Sequence, residues 1–114
     1  MSERELYQVK EYILFPVIID VLHHDIQKLQ KTSLKMGDAY ISQLRSMEHH
    51  VYKDFYKLRQ TLKKNGIGVY QQKRDEHGIT AKYCCRGYHH QSVMMWEYIK
   101  AQLHSKFVYY LTTN

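Results

Sequence analysis

The chain has 114 residues, 44% of them hydrophobic and 25% charged, the profile of an ordinary globular chain with room for one domain over residues 1–114. One Pro and five Gly exclude collagen-like and Pro/Gly-rich disordered classes, and no uncharged apolar run approaches the ~18 residues of a membrane span. The net charge of +6 and the isoelectric point near 9.3 suit an anionic partner such as phosphate, or simply solubility.

Ser2-Glu3-Arg4-Glu5 has the spacing of a capping box, with Met1 and Leu6 placed for a hydrophobic staple. A helix is expected over residues 3–31. Leu6, Val9 and Ile13 mark its early apolar face. Phe15, Ile19, Leu22, Ile26 and Leu29 then repeat at helical spacing, on nearly the opposite side of the wheel. Pro16 lies where the two phases meet, so the sequence predicts a helix broken there by a kink or a restart.

Thr32 to Gly37 reads as a connection, and Asp38 as an N-cap. Ile41, Leu44, Met47, Val51, Phe55, Leu58 and Leu62 trace one face of a second helix over residues 38–64. Lys63-Lys64 suit the negative end of its dipole, and Asn65-Gly66 supply a stop. The period then changes to two. Ile67, Val69 and Gln71, and later Ile79, Ala81, Tyr83 and Cys85, alternate around a turn ending in Gly78, which predicts a two-stranded hairpin over residues 67–87. A third helix is expected over residues 90–111, with Trp96, Ile99, Leu103, Phe107 and Tyr110 on one side. The predicted fold is mainly α: an antiparallel helical bundle with a two-stranded hairpin inserted before the C-terminal helix.

The basic excess is concentrated. Residues 1–36 hold five basic and five acidic side chains, residues 37–66 six and three, residues 67–90 four and two. On the second helix Lys53, Lys57 and Lys64 share the outer face, with Arg45, Tyr52, Tyr56, Arg59 and Lys63 beside them. The hairpin adds Lys73, Arg74, Lys82 and Arg86, with Tyr70 and Tyr88 nearby. Cations interleaved with aromatics suit phosphate contact plus base stacking. Nucleic acid is therefore the favoured partner.

Eight histidines include the pairs His23-His24, His49-His50 and His89-His90. No two are spaced i, i+3 or i, i+4 as helical metal ligands are. Asp20 with His24 and His50 with Asp54 have that spacing as acid–imidazole pairs. Cys85 and His89 flank a Gly turn and offer half a zinc site; with His50 and Asp54 they are the candidate metal ligands, and zinc is the cofactor they would suit. Cys84 and Cys85, adjacent on a strand, should face opposite ways. Glu48 lies near the edge of its helix stripe, where burial would raise its pKa. Phosphate-binding loops and nucleophile elbows are missing, so no catalytic residue is assigned.

Two adjacent cysteines cannot staple a loop, and the N-terminal residues have no signal-peptide pattern. A cytoplasmic, thiol-reduced protein without a membrane partner is expected. The expected function is that of a small non-catalytic accessory or regulatory binding protein. The alternatives are a protein-interaction module or a His/Cys metal protein. The interaction module would be a homodimer formed through the strongly apolar last helix, where Met94, Met95, Tyr98, Val108 and Tyr109 widen the stripe.

Overall fold

Ser2 and Glu5 start the first helix as their spacing requires. The Glu5 amide donates to Ser2 Oγ at 3.1 Å, and the Ser2 amide donates to Glu5 Oε1 at 3.0 Å. The computed structural model describes residues 1–112. Six elements follow in order: α1 (Glu3–Gln30), α2 (Gly37–Lys64), β1 (Ile67–Arg74), β2 (Gly78–Cys85), β3 (Tyr88–Met95) and α3 (Trp96–Thr112). The chain is mainly helical, and its strands form one antiparallel sheet in the order β1-β2-β3.

The helix does not restart at Pro16. α1 runs as one helix of 28 residues with Pro16 inside it. Proline takes the i+4 donor from the Tyr12 carbonyl, a loss of about 3 kcal/mol. Burial outweighs it, because each fully buried aliphatic or aromatic side chain contributes about 1.5–3 kcal/mol. Val9, Ile13, Leu14 and Val17 enter one core with Ile67, Ile79, Ala81, Tyr83 and Met94 of the sheet and Ile99 of α3. Phe15, Ile18, Ile19 and Leu22 enter a second with Met47 and Val51 of α2 and Tyr110 of α3. The two apolar phases in the sequence are two faces of one helix, each with its own core.

α2 lies antiparallel to α1. Phe15 stacks on Phe55 with centroids 5.3 Å apart, while His23 meets Glu48, so position rises along one helix as it falls along the other. Asp38 does not cap α2. Met36 occupies the cap position with no side-chain bond, and Asp38 falls in the first turn, where a carboxylate still favours the positive end of the dipole.

The two-stranded hairpin is also corrected. Residues 88–95 form a third strand, and the last helix starts at Trp96 rather than near His90. Arg86 and Gly87 both have positive φ, 48° and 89°, the two-residue turn whose twist matches paired strands. Ser92 and Met94 are buried, while Val93 and Met95 are more than half exposed. That is strand alternation with apolar groups on both sides, which imitates a helical run in the sequence. Trp96 then fixes the change of element. Its amide donates to the His77 carbonyl at 3.1 Å and its indole N–H to the Asp75 carbonyl at 2.7 Å, which ties the start of α3 to the β1–β2 turn.

Along β2, Ile79, Ala81, Tyr83 and Cys85 are buried on the helix side. β1 carries an irregularity between Val69 and Gln71: Val69 pairs with Tyr83 and Gln71 with Lys82. The extra residue, Tyr70, is thereby turned to the outer face.

Gly78 is where this sheet tolerates least. A Cβ there would lie 1.9 Å from the Met94 carbonyl oxygen, whereas one at Gly68 meets nothing within 4 Å. Gly78→Ala should lower stability by at least ~2 kcal/mol and Gly68→Ala by no more than ~0.5 kcal/mol, read from urea midpoints followed by circular dichroism.

Candidate nucleic-acid interface

α2 turns its apolar positions Leu44, Met47, Val51, Phe55 and Leu58 toward α1 and α3. Arg45, Tyr52, Lys53, Tyr56, Lys57, Arg59, Lys63 and Lys64 are exposed. From Arg45 to Lys64 the helix rises about 28 Å. The two acids on this stretch are both turned inward. Asp54 Oδ2 accepts from the Tyr110 hydroxyl at 2.7 Å. Glu48 Oε2 is a buried atom 2.8 Å from His23 Nε2, close but poorly aligned for a hydrogen bond. The outer face therefore carries six cations and no carboxylate, and among the described residues none of the six makes an ion pair.

The sheet treats its four candidate cations in two ways. Arg74 donates to Asp20 of α1 at 2.8 Å. Arg86 donates to both Glu5 carboxylate oxygens, at 2.8 and 3.1 Å, and to the Asn65 carbonyl at 2.9 Å. These two arginines tie the sheet to α1 and to the end of α2. Lys73 and Lys82 are exposed, and among the described residues neither makes an ion pair. So Lys53, Lys57 and Lys64 lie together on α2, Lys73 and Lys82 stand on the outer side of the sheet, and Arg74 and Arg86 are structural.

The candidate metal ligands do not converge. Cys85 is buried on the inner face of β2 and pairs in register with Tyr88, whereas His89 pairs with Cys84 on the outer face. Cys84 and Cys85 point opposite ways, as adjacent strand residues must. Asp54 is occupied by Tyr110, and the His50 ring meets His49 edge-on at 5.9 Å. Asp20 binds Arg74, leaving His24 to contact Asp25 at 3.2 Å. Among the described residues, no group of three His, Cys, Asp or Glu side chains is placed to hold a metal ion. No helix of the described residues is long and apolar enough to cross a membrane.

Three features were not anticipated from the sequence. Glu11 is buried against Lys106, and its carboxylate raises the pKa of Tyr7 through a hydrogen bond. Tyr110, burdened by desolvation and by Asp54, has a pKa far above the ordinary phenol value. Tyr70 and His89 meet across the sheet, with the Tyr70 hydroxyl 3.2 Å from His89 Nδ1. Each joins residues at least 19 positions apart except Tyr7 with Glu11, whose i, i+4 spacing was the one available signal.

Two outcomes follow. Arg86 and the Ser2 amide hold the Glu5 pKa down from 4.5 to about 2. A depressed carboxylate pKa stabilises the fold above the unfolded value and loses that effect as pH falls through the folded one. Thermal stability should therefore drop between pH 4.5 and about 2, and Arg86→Gln should flatten that part of the profile. Tyr110→Phe removes the hydroxyl that satisfies Asp54 and should cost about 1–3 kcal/mol in chemical denaturation.

A family model described as YhjD protein matches residues 1–114. The chain is also similar to "Uncharacterized protein YhjD" of Bacillus subtilis (strain 168), with 24% identity over 110 residues, 96% of this chain and 92% of that protein. No solved structure matches. With its whole length matched by the family model, the chain belongs to the YhjD protein family.

Proposed function

We propose that this protein is a non-catalytic nucleic-acid-binding accessory protein that engages the phosphate backbone through the outer face of α2. The observation that carries this reading is the segregation of charge on α2 from Arg45 to Lys64: six cations outside that make no ion pair among the described residues, with Glu48 and Asp54 turned inward to His23 and Tyr110, while the exposed Asp38 lies in the first turn, outside this stretch. A surface kept soluble by charge has no need to be cleared of acids, whereas a polyanion site does. Lysines predominate on this face, and an ammonium is a flexible point charge that follows a phosphate chain without reading bases. Binding is accordingly tolerant of sequence. The two free thiols, Cys84 and Cys85, favour a reducing compartment such as the cytoplasm.

A second reading rests on the flank formed by α1 and α3. Tyr7, Tyr98, Val108 and Leu111 remain exposed there, although Lys10 lies over the Tyr98 ring at 5.8 Å. A two-fold contact would bury these groups twice. Sedimentation at micromolar concentration separates this homodimer from a 13.8 kDa monomer.

The nucleic-acid reading is tested by fluorescence anisotropy with a labelled duplex at rising salt. Micromolar-range binding is expected, weakening steeply with salt as counterions are released. Lys53→Glu with Lys57→Glu and Lys64→Glu should lower affinity at least about tenfold on every sequence tried. No binding at ~50 mM salt, where phosphate contacts are strongest, would overturn it.

A further inference from the structure

We infer that the outer face of the sheet is a platform for single-stranded nucleic acid, continuous with the α2 face and resting on the nucleic-acid reading above. Three observations point to it. The first is chemical composition. In register across the three strands lies the row Gln71–Lys82–Gln91, all exposed. Two amides that both donate and accept hydrogen bonds flank one cation. On the neighbouring row His89 stands opposite Cys84, and Lys73 stands opposite Thr80 on the other side. No carboxylate belongs to the outward-facing positions of the strands, so the field on this face favours an anion such as phosphate.

The second is the aromatic pair. The bulge in β1 delivers Tyr70, 55% exposed, to this side of the sheet. Its ring meets that of His89 at 5.7 Å with planes 82° apart, and the Tyr70 hydroxyl lies 3.2 Å from His89 Nδ1. Each ring holds the other in place, so little side-chain entropy is left to lose on binding. With Lys82 and Gln91 they line one open depression of about 290 Å³. Rings on a flat sheet reach base faces only when the bases are unpaired, because a duplex hides those faces in its own stack. This is why the occupant is a single strand, while α2 contacts backbone alone.

The third is continuity. A cleft of about 210 Å³ at the β1 edge is lined by Arg59, Lys63 and Leu62 of α2, by Tyr12 of α1 and by the inward-facing Ile67 and Val69, with the outward-facing Gly68 at its rim. Gly68 pairs with Cys84, which in turn pairs with His89. Gly68 is thus the residue that joins the Arg59–Lys63 end of α2 to the outward row that carries His89. Gly68, with open space where a Cβ would stand, leaves the passage clear.

Two measurements test the platform. Labelled single strands of about 12 nucleotides, DNA and RNA, and the matching duplexes are titrated against the unmodified protein and Tyr70→Leu. Tyr70→Leu should weaken single-strand binding at least about tenfold and leave duplex binding unchanged. Independently, Cys84 is the partly exposed thiol on this face and Cys85 is buried on the other. Alkylation of Cys84 by iodoacetamide in the unmodified protein should slow when the single strand saturates it. Unchanged single-strand affinity in Tyr70→Leu, or an unprotected Cys84 at saturation, overturns the platform. If duplex binding persists and is lost in the α2 charge-reversal variant, the proposed function survives that result. If the protein binds neither strand form at low salt, both readings fail together.

Discussion

The structure depends on α1 being buried along two faces at once. A helix with a single apolar stripe packs against one layer. α1 instead meets the sheet through Val9, Ile13, Leu14 and Val17 and the α2 side through Phe15, Ile18, Ile19 and Leu22. α3 closes both cores, with Ile99 in the first and Tyr110 in the second, and a small sheet needs such a packed face to be stable. The proline in the middle of α1 is tolerated for the same reason. Its neighbours on both sides, Phe15 and Val17, are buried in different cores, so a break at Pro16 would cost more apolar contact than the missing hydrogen bond does.

Burial of α1 also organises the charge. Its polar positions must leave through the seams between layers, and there they find partners from other elements. Glu5 takes Arg86, Glu11 takes Lys106, and Asp20 takes Arg74. On α2, Glu48 meets His23 and Asp54 accepts from Tyr110. The exposed pairs, Glu5 with Arg86 and Asp20 with Arg74, contribute little energy. The larger effect of all five is geometric, because these carboxylates are drawn to partners on other elements while Lys53, Lys57, Lys63 and Lys64 are left outside. A net charge of +6 then becomes a patterned surface rather than a diffuse one.

Much of this was legible in the sequence. The Ser2–Glu5 box, the α2 stripe and the alternation around Gly78 are local signals, set by neighbours three or four positions away on a helix and two on a strand. The outer cations Lys53, Lys57 and Lys64 were legible for the same reason, since the helix period places them. What local pattern cannot reveal is the partner of a side chain. Arg74 and Arg86 look like their neighbours Lys73 and Lys82 in a composition count, yet their acids lie 54 and 81 residues away. The third strand escaped because Val93 and Met95 are apolar on the solvent side, which hides a period of two. Arg86-Gly87 was the missed clue: a residue before Gly in a two-residue loop marks paired strands, but Arg is an uncommon occupant of the left-handed region it adopts there.

That uncommon conformation connects the fold to its surface. Arg86 holds φ at 48°, a region that costs a non-glycine residue about 1–2 kcal/mol. Asn or Gly would fit more easily, but neither could reach both Glu5 and the Asn65 carbonyl. The guanidinium is planar, permanently charged and able to bridge a carboxylate with two donors. It fastens the β2–β3 turn to the start of α1 and to the end of α2 in one stroke. Lysine, with one compact ammonium, offers no planar fork to match the Glu5 carboxylate while a second edge reaches the Asn65 carbonyl. The joints hold the sheet at a fixed place against α1 and beside the end of α2, which is the arrangement that the proposed surface requires.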